Sequence, residues 1–203
     1  RGRFSVRASK GVHIVVPRDR IVSETAIILR TATSVLFVIP WETHWIIGTT
    51  DTDWHLDLAH PAATRKDIDY LLERVNEVLV TPLSHDDIEG VYAGLRPLLA
   101  GEDEATSKLS REHAVAVVAP GLVSIAGGKY TTYRVMAADA VDACVDFIPT
   151  RVAPSITERV PLIGADGYFA LINQCESLGE KYGLHPYRVR RLLNRYGSLI
   201  DEV

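Results

Sequence analysis

The stretch Lys10-Gly11-Val12-His13-Ile14-Val15-Val16-Pro17 decides how the chain begins to fold. Its apolar residues are mostly β-branched, it contains a single imidazole, and a proline closes it, all of which is typical of a buried β-strand. Similar apolar runs follow at intervals of about ten residues, with polar or proline-containing turns between them. This spacing predicts an antiparallel sheet with strands over 12–16, 26–29, 35–39 and 45–47.

An amphipathic helix is predicted after these strands. Thr64 followed by Asp67 has the order of a capping box, and Pro82 predicts where the helix ends. Between them, one helical face is apolar: Ile68, Leu71, Leu72, Val75, Val78 and Leu79. Later patterns predict strands over 88–95, 115–118 and 122–126, the last two as a hairpin, and a second helix from about residue 131 to 148.

The pattern changes after residue 148. Three prolines between 149 and 161 interrupt all periodicity and predict a linker. Helical patterns then cover 167–182 and 186–202, with Pro186 suited to a first helical position and Gly183 to a helix end. The predicted fold class is therefore α+β: a mainly antiparallel sheet with flanking helices in 1–148, a linker at 149–161, and a small all-α domain at 162–203.

Composition limits the classes of protein that remain. The 203 residues include 22 basic and 26 acidic side chains, a formal charge of −4, and 47% are hydrophobic, which excludes intrinsic disorder. No apolar run approaches the roughly 20 residues of a membrane-spanning helix. The acidic balance argues against a nucleic-acid partner, so the arginines of 188–195 are interpreted as a solvated helix face. Two cysteines without metal-ligand spacing predict reduced thiols and no metal site.

The segment Gly127-Gly128-Lys129-Tyr130-Thr131-Thr132-Tyr133-Arg134 carries the most chemistry. Two glycines allow another group close to the backbone, and the first amides of the following helix are donors for an anion or an electron-rich oxygen. A tight strand-to-helix connection would explain the same pattern without a ligand. The segment is not a P-loop, and the chain has no G-x-G-x-x-G dinucleotide fingerprint.

Two further side chains are candidates for a site. Arg96, in Tyr92-Ala93-Gly94-Leu95-Arg96-Pro97-Leu98, ends an apolar strand, and its guanidinium needs a carboxylate, a carbonyl or an anionic ligand unless it lies on the surface. His13 is a lone imidazole in an apolar strand, suited either to proton transfer or to a structural hydrogen bond. The run Asp51-Thr52-Asp53 resembles a calcium loop, but its sixth and twelfth positions do not fit, so 48–51 is interpreted as a strand end and turn.

Five motifs in register together resemble the FAD-dependent (aerobic, respiratory) glycerol-3-phosphate dehydrogenases, of the D-amino-acid-oxidase-like superfamily. The resemblance extends from about residue 10 to the C-terminus, and the helical tail is similar to that family's C-terminal domain. The motifs are Lys10 to Pro17, Val38-Ile39-Pro40-Trp41, Ile46-Ile47-Gly48-Thr49-Thr50-Asp51, Ala93-Gly94-Leu95-Arg96-Pro97-Leu98 and Gly127 to Arg134.

The resemblance implies an enzyme that oxidises sn-glycerol 3-phosphate to dihydroxyacetone phosphate with FAD and passes electrons to membrane quinone. It implies that Arg96 and Lys129 face substrate and flavin, that His13 lies near the substrate carbon, and that Gly127, Gly128, Lys129, Tyr130 and Thr131 contact the cofactor. A cytoplasmic protein attached peripherally to the inner face of the cytoplasmic membrane is implied as well, with a homo-oligomer as one option.

The resemblance also implies a missing part. The family's dinucleotide-binding segment precedes everything in this sequence, which opens Arg-Gly-Arg-Phe without a methionine. The chain is therefore expected to be a fragment that does not turn over alone. Two alternatives stay open: another flavoprotein oxidase of the same superfamily, and a non-catalytic binding or regulatory module.

Overall fold

A six-stranded antiparallel sheet forms the centre of the first part of the chain. The computed structural model describes residues 4–31, 35–99 and 112–203; Arg1, Gly2 and Arg3, with which the predicted fragment opens, lie outside these ranges. The strands and helices of the described residues are β1 (Val6–Pro17), β2 (Ile27–Arg30), β3 (Val35–Trp41), β4 (His44–Gly48), β5 (Thr52–Trp54), α1 (Arg65–Asn76), β6 (Gly90–Leu99), β7 (His113–Ala119), β8 (Leu122–Gly127), α2 (Tyr133–Val145), α3 (Tyr168–Ile172), α4 (Cys175–Tyr182) and α5 (Pro186–Tyr196).

Strand β1 organises the sheet because it pairs along both of its edges. The strand order is β2-β3-β4-β1-β5, and β6 also pairs with β1. Strand β4 pairs with residues 13–17 of β1 and β5 with residues 8–10, whereas β6 pairs with residues 6–15. Since β6 overlaps both ranges, it occupies the other edge. His13 consequently has a cross-strand neighbour on each side, Gly48 of β4 and Tyr92 of β6.

The core lies between one face of this sheet and helix α1. Successive side chains of a strand point to opposite faces, and the alternate residues Val12, Ile14 and Val16 of β1 are fully buried. Leu71 and Val75 of α1 belong to the same buried cluster. Burying one such side chain contributes about 1.5–3 kcal/mol. This packing therefore fixes which face of the sheet meets the helix and leaves the intervening residues of β1 on the other face.

Helix α1 begins as predicted but ends earlier than predicted. The amide of Asp67 donates to Oγ1 of Thr64 at 3.3 Å, and the amide of Thr64 donates to the Asp67 carboxylate at 2.8 Å, which confirms the capping box. The helix ends at Asn76, well before Pro82. The side chain of Asn76 donates to the carbonyl of Leu83 at 2.9 Å and accepts from the amide of Leu83 at 2.8 Å. These two bonds hold the segment after the helix in a non-helical conformation.

A β-hairpin and a second long helix follow the sheet along the chain. Strands β7 and β8 pair antiparallel, which confirms the predicted hairpin. A 3₁₀ turn over Tyr130–Thr132 leads from β8 into α2, which contacts both strands of the hairpin. The predicted helix from 131 to 148 is thus a short turn followed by the α-helix of residues Tyr133–Val145.

A small helical unit forms the end of the chain. Two compact units divide the chain, Arg1–Arg151 and Val152–Val203. The helix predicted over 167–182 is wrong in one respect: α3 and α4 are separate helices, divided by a turn at Asn173 and Gln174, and each contacts α5. Helix α5 ends at Tyr196 and a 3₁₀ turn follows to Glu202. The second core consists of Cys175, Leu178, Val189, Leu193 and Ile200.

Mainly antiparallel sheets with several helices confirm the α+β fold class. Two strand predictions need correction. Strand β1 starts at Val6 rather than at residue 12, because residues 6–10 also pair with β5 and β6. Strand β6 runs from Gly90 to Leu99 rather than over 88–95, because this longer β1 also pairs with residues 96–99. Strand β5, at Thr52–Trp54, was not predicted. In the described ranges, no helix is long and apolar enough to cross a membrane.

Candidate active site

The face of the sheet opposite helix α1, here called the open face, carries two of the predicted catalytic side chains. Cross-strand partners share a face of a sheet, so His13 of β1 shares the open face with Gly48 of β4 and Tyr92 of β6. Arg96 lies on the same face, because it follows Tyr92 by an even number of residues along β6. The alternation of the strands therefore brings an imidazole and a guanidinium to one surface, outside the core.

The imidazole of His13 lies half-buried between its two neighbouring strands. It stacks on the ring of Tyr92, with 4.9 Å between ring centroids and 9° between the planes. On the other side it covers Gly48, where a Cβ atom would lie 2.2 Å from Cδ2 of the imidazole. No hydrogen bond joins either ring nitrogen of His13 to a residue that the structure describes. The ring is thus held by packing, and its nitrogens are available to a ligand.

Two effects lower the pKa of His13. The larger is burial, which removes water from the imidazolium form, and the second is the positive charge of Arg96. An imidazole with a pKa below its ordinary value is neutral at pH 7 and can accept a proton. The electrostatic environment therefore favours a base at this position.

Arg96 is held by oxygen atoms of the segment that follows β4. Its Nη2 atom donates to Oγ1 of Thr49 at 2.8 Å, and its Nη1 atom donates to the carbonyl of Thr50 at 3.2 Å. A Cβ atom at Gly11 would lie 2.5 Å from Nη2, so the absence of a side chain there gives the guanidinium its space. These contacts fix the plane of a group suited to bind carboxylate or phosphate.

The threonines that hold Arg96 were not recognised as site residues from the sequence. The sequence predicts a strand end at 48–51, and β4 does end at Gly48. Within this segment Thr50 is buried. Its Oγ1 accepts from the amide of Val12 at 3.0 Å, and the same hydroxyl donates to the carbonyl of Lys10 at 3.4 Å. The Gly48–Thr49 peptide bond is cis. The signal in the sequence was the pair of small polar residues directly after a glycine at a strand end.

The second candidate region is the turn between β8 and α2. Gly127 and Gly128 have φ values of +77° and +84°, which L side chains rarely adopt. The amide of Gly128 donates to the carbonyl of Glu112 at 3.3 Å, which ties the turn to the start of the hairpin. His113 and Asp139 add a second link between hairpin and helix, with 2.7 Å between Nε2 and Oδ2. The turn is therefore fixed from both sides.

Lys129, Tyr130 and Thr131 lie exposed on this turn. The carbonyl of Lys129 accepts from the amide and the hydroxyl of Thr132, both at 3.0 Å, so its backbone forms the start of the 3₁₀ turn. The Tyr130 ring is 89% exposed. The structure brings His13 and Arg96 together on the open face, and it places Lys129 on the separate turn with the predicted cofactor residues.

The glycine turn fits an electron-rich group such as the carbonyl edge of a flavin ring. Gly127 and Gly128 present no side chains, and the first amides of a helical turn lack acceptors within it. The amides of Tyr130 and Thr131 are such groups, at the start of the 3₁₀ turn that leads through Thr132 into α2. The donor set at this turn therefore suits the predicted FAD.

Fold and candidate site together describe an α+β region with polar side chains on the exposed face of an antiparallel sheet. A family model described as FAD dependent oxidoreductase matches residues 2–134. The chain therefore belongs to the FAD dependent oxidoreductase family, which confirms the cofactor predicted for its class.

Individual relatives are similar to this chain over its whole length. Glycerol-3-phosphate dehydrogenase 2 of Mycobacterium bovis is 78% identical over all 203 residues, which are 35% of that protein. Aerobic glycerol-3-phosphate dehydrogenase of Staphylococcus aureus is 31% identical over 100% of the chain and 39% of the relative. The chain thus spans little more than a third of the length of these curated relatives. The resemblance predicted from the five motifs is confirmed.

A solved structure agrees with these relatives. The glycerol-3-phosphate dehydrogenase of Bacillus halodurans, complexed with FAD, superposes with a TM-score of 0.76 at 34% identity. The match covers 97% of this chain and 39% of that protein. The fold of the chain is accordingly that of one part of a larger flavoprotein.

Proposed function

We propose that this chain is the substrate-binding and C-terminal part of a longer FAD dependent enzyme that oxidises sn-glycerol 3-phosphate to dihydroxyacetone phosphate. The observation that carries the proposal is the placement of His13 and Arg96 on the open face. Gly94, which has no side chain, lies beside them on β6. A Cβ atom at Gly94 would have no neighbour within 4 Å, so there is room for a small ligand between Tyr92 and Arg96. The relatives named glycerol-3-phosphate dehydrogenase support the choice of substrate.

His13 is the proposed base. Oxidation of a secondary alcohol removes a hydride from carbon and a proton from oxygen, and the proton needs an acceptor. The ring nitrogens of His13 make no hydrogen bond to a described residue, and its lowered pKa keeps the imidazole neutral. His13 therefore takes the hydroxyl proton, while bound FAD supplies the acceptor for the two electrons of the hydride.

Arg96 and Lys129 are the proposed cationic groups. Arg96 binds the phosphate of the substrate or its developing carbonyl oxygen, with its guanidinium plane held by Thr49 and Thr50. Lys129 adds positive charge near substrate and flavin. Of the amides from Gly128 to Thr131, those of Gly128 and Lys129 already donate to Glu112 and Thr132. The amides of Tyr130 and Thr131 would therefore be the donors toward a bound flavin, where they would favour the negative charge of its reduced form.

In this proposal, another part of the longer enzyme supplies the dinucleotide-binding segment that holds FAD. The dinucleotide-binding fingerprint G-x-G-x-x-G is not in this sequence, so we infer that the chain alone binds FAD weakly and does not turn over. We further propose that electrons pass to a membrane quinone and that the enzyme is a cytoplasmic protein attached peripherally to the inner face of the membrane.

Flavin spectroscopy tests this proposal. Flavin absorbance is recorded for the longer enzyme and for the 203-residue chain, before and after anaerobic addition of sn-glycerol 3-phosphate, with glycerol as the control that lacks the phosphate. We expect bleaching by glycerol 3-phosphate in the longer enzyme, no bleaching by glycerol, and no bound flavin in the chain alone. Bound flavin that this substrate does not bleach would retain the family and overturn the reaction. Absence of flavin from both would favour a non-catalytic binding module.

The acceptor is tested separately. A quinone analogue and oxygen are compared as oxidants of the substrate-reduced enzyme. Faster reoxidation by the quinone analogue supports a dehydrogenase, and faster reoxidation by oxygen would instead identify a flavoprotein oxidase.

A further inference from the structure

The aromatic ring beside His13 has no role in the function proposed so far. Tyr92 lies directly opposite His13 in the register of β1 and β6, and the two rings are close to parallel. Gly48 lies opposite His13 on the other edge of β1. The imidazole is therefore confined between β4, which has no side chain at Gly48, and β6, which has the aromatic ring of Tyr92.

We propose that Tyr92 is a positioning residue for His13: its ring and the bare backbone of Gly48 hold the imidazole in one orientation across the sheet and keep water from one of its faces. This inference rests on the proposed role of His13 as the base. The aromatic ring of Tyr92, and not its hydroxyl group, contacts the imidazole and holds it in place. No hydrogen bond joins the Tyr92 hydroxyl to the described residues, which agrees with this assignment.

Two opposing effects of a stacked ring can be distinguished. A ring that excludes water disfavours the imidazolium form, whereas a ring that offers its π-face to a cation favours it. Burial is the larger cause of the lowered pKa of His13, and burial also raises the pKa of the Tyr92 phenol. We therefore expect exclusion of water to outweigh the attraction between cation and ring.

Few other charged groups face the imidazole. Strand β6 presents Arg96, whose charge lowers the pKa of His13, and Tyr92 itself. Strand β4 presents Gly48 opposite His13, and at its far end it presents His44, which lies opposite Pro17 and pairs with Glu89 at 2.8 Å. On β1, Ser9 lies at the far end of the same face and donates to Asp51. Of these groups only Tyr92 touches the ring face, so its replacement isolates the effect of stacking.

The test is titration of His13 by NMR in the 203-residue chain, which needs neither cofactor nor activity. Tyr92→Leu removes the ring, Tyr92→Phe keeps the ring without the hydroxyl, and Trp41→Leu removes an aromatic ring from an exposed position (60%) elsewhere on the open face. We expect the pKa of His13 to rise towards about 6.5 in Tyr92→Leu and to match the parent in the other two variants. An unchanged or lower pKa in Tyr92→Leu, or a rise in Tyr92→Phe equal to that in Tyr92→Leu, would overturn the proposal.

A second measurement separates positioning from general damage to the fold. In the longer enzyme, Tyr92→Leu should lower kcat and move the acidic limb of the pH–rate profile to higher pH, with little change in KM because Arg96 is untouched; Tyr92→Phe should restore both. An acidic limb that does not move would contradict the proposal. If the NMR shift is seen but the longer enzyme ignores glycerol 3-phosphate, the proposed function fails and the role of Tyr92 in holding His13 remains.

Discussion

The ammonium group of Lys10 lies 2.6 Å from the carboxylate of Asp67, and only 5% and 6% of these two side chains are exposed. Lys10 also donates to the carbonyl of Ala62 at 3.2 Å. Asp67 accepts from the amide and the hydroxyl of Thr64, at 2.8 and 2.6 Å. A buried and hydrogen-bonded ion pair therefore joins β1 to the first turn of α1 inside the core, on the face of the sheet opposite His13.

Asp67→Asn should strongly destabilise the chain. The amide side chain can still accept from Thr64, but it leaves the charge of Lys10 buried without a counterion, and such a loss reduces the free energy of unfolding by about 3–5 kcal/mol. Urea unfolding of the 203-residue chain at pH 7 measures this loss. Asp69→Asn is the matched control on the same helix, because Asp69 is exposed and pairs at the surface with His85, 2.8 Å away. Its loss should stay below about 1 kcal/mol, and equal losses in both variants would contradict the prediction.

The fold was predictable where the sequence carries a period or a cap. The apolar run of 12–16, the stripe of α1 and the Thr64 capping box each depend on neighbouring residues. The structure has the strand and the cap, and it buries the stripe as far as Val75. Val78, predicted as part of the same stripe, lies beyond the helix and is 51% exposed. Predictions failed where a distant contact decides the outcome. Asn76 ends α1 by binding Leu83, and Thr52–Trp54 becomes a strand only because β1 extends far enough to pair with it.

The titratable and charged residues of the site were predictable from the sequence, and the residues that position them were not. His13 and Arg96 are conspicuous in the sequence because each interrupts an apolar strand. Thr49 and Gly11 are ordinary residues in sequence terms, and their importance comes from the register that places them against the guanidinium. Nothing local to either residue could have indicated that neighbour.

Arg96→Ala should weaken catalysis in the longer enzyme. Removing a hydrogen-bonded charge that binds an anion should weaken transition-state binding by about 1.5–3 kcal/mol. The kcat/KM for glycerol 3-phosphate should therefore fall roughly 10- to 150-fold. Steady-state kinetics with a quinone analogue measure the change. Arg7→Ala is the matched control, because Arg7 belongs to the same strand system and its guanidinium pairs with Asp53 at 2.8 Å. A kcat/KM for Arg96→Ala equal to that of the control would remove Arg96 from the substrate site.

Gly11→Ala should impair the site while leaving the fold intact. The new Cβ atom would lie 2.5 Å from Nη2 of Arg96 and 2.7 Å from Oγ1 of Thr49, so the guanidinium must move. Because the displaced group is the end of a flexible side chain, the free energy of unfolding should change by less than about 1 kcal/mol, while KM for the phosphate substrate rises. Gly90→Ala places a methyl group on the same strand system at an ordinary 3.5 Å from Val15 and should change neither quantity. A KM for Gly11→Ala that matches Gly90→Ala would show that the position of Arg96 is not decisive.

His13→Asn should remove the acidic limb of the pH–rate profile. Burial and then the charge of Arg96 lower the pKa of His13, so the fraction of neutral base, and with it kcat/KM, should rise with pH, with the midpoint of the rise below the ordinary imidazole value of about 6.5. Asparagine keeps a polar side chain of similar reach but does not titrate, so the variant should show a lower rate with no limb in that range. The profile is recorded between pH 5 and 8 with the longer enzyme, with Arg7→Ala again as the control that retains the limb. A limb that persists in His13→Asn at a near-parental rate would assign the proton transfer to another group.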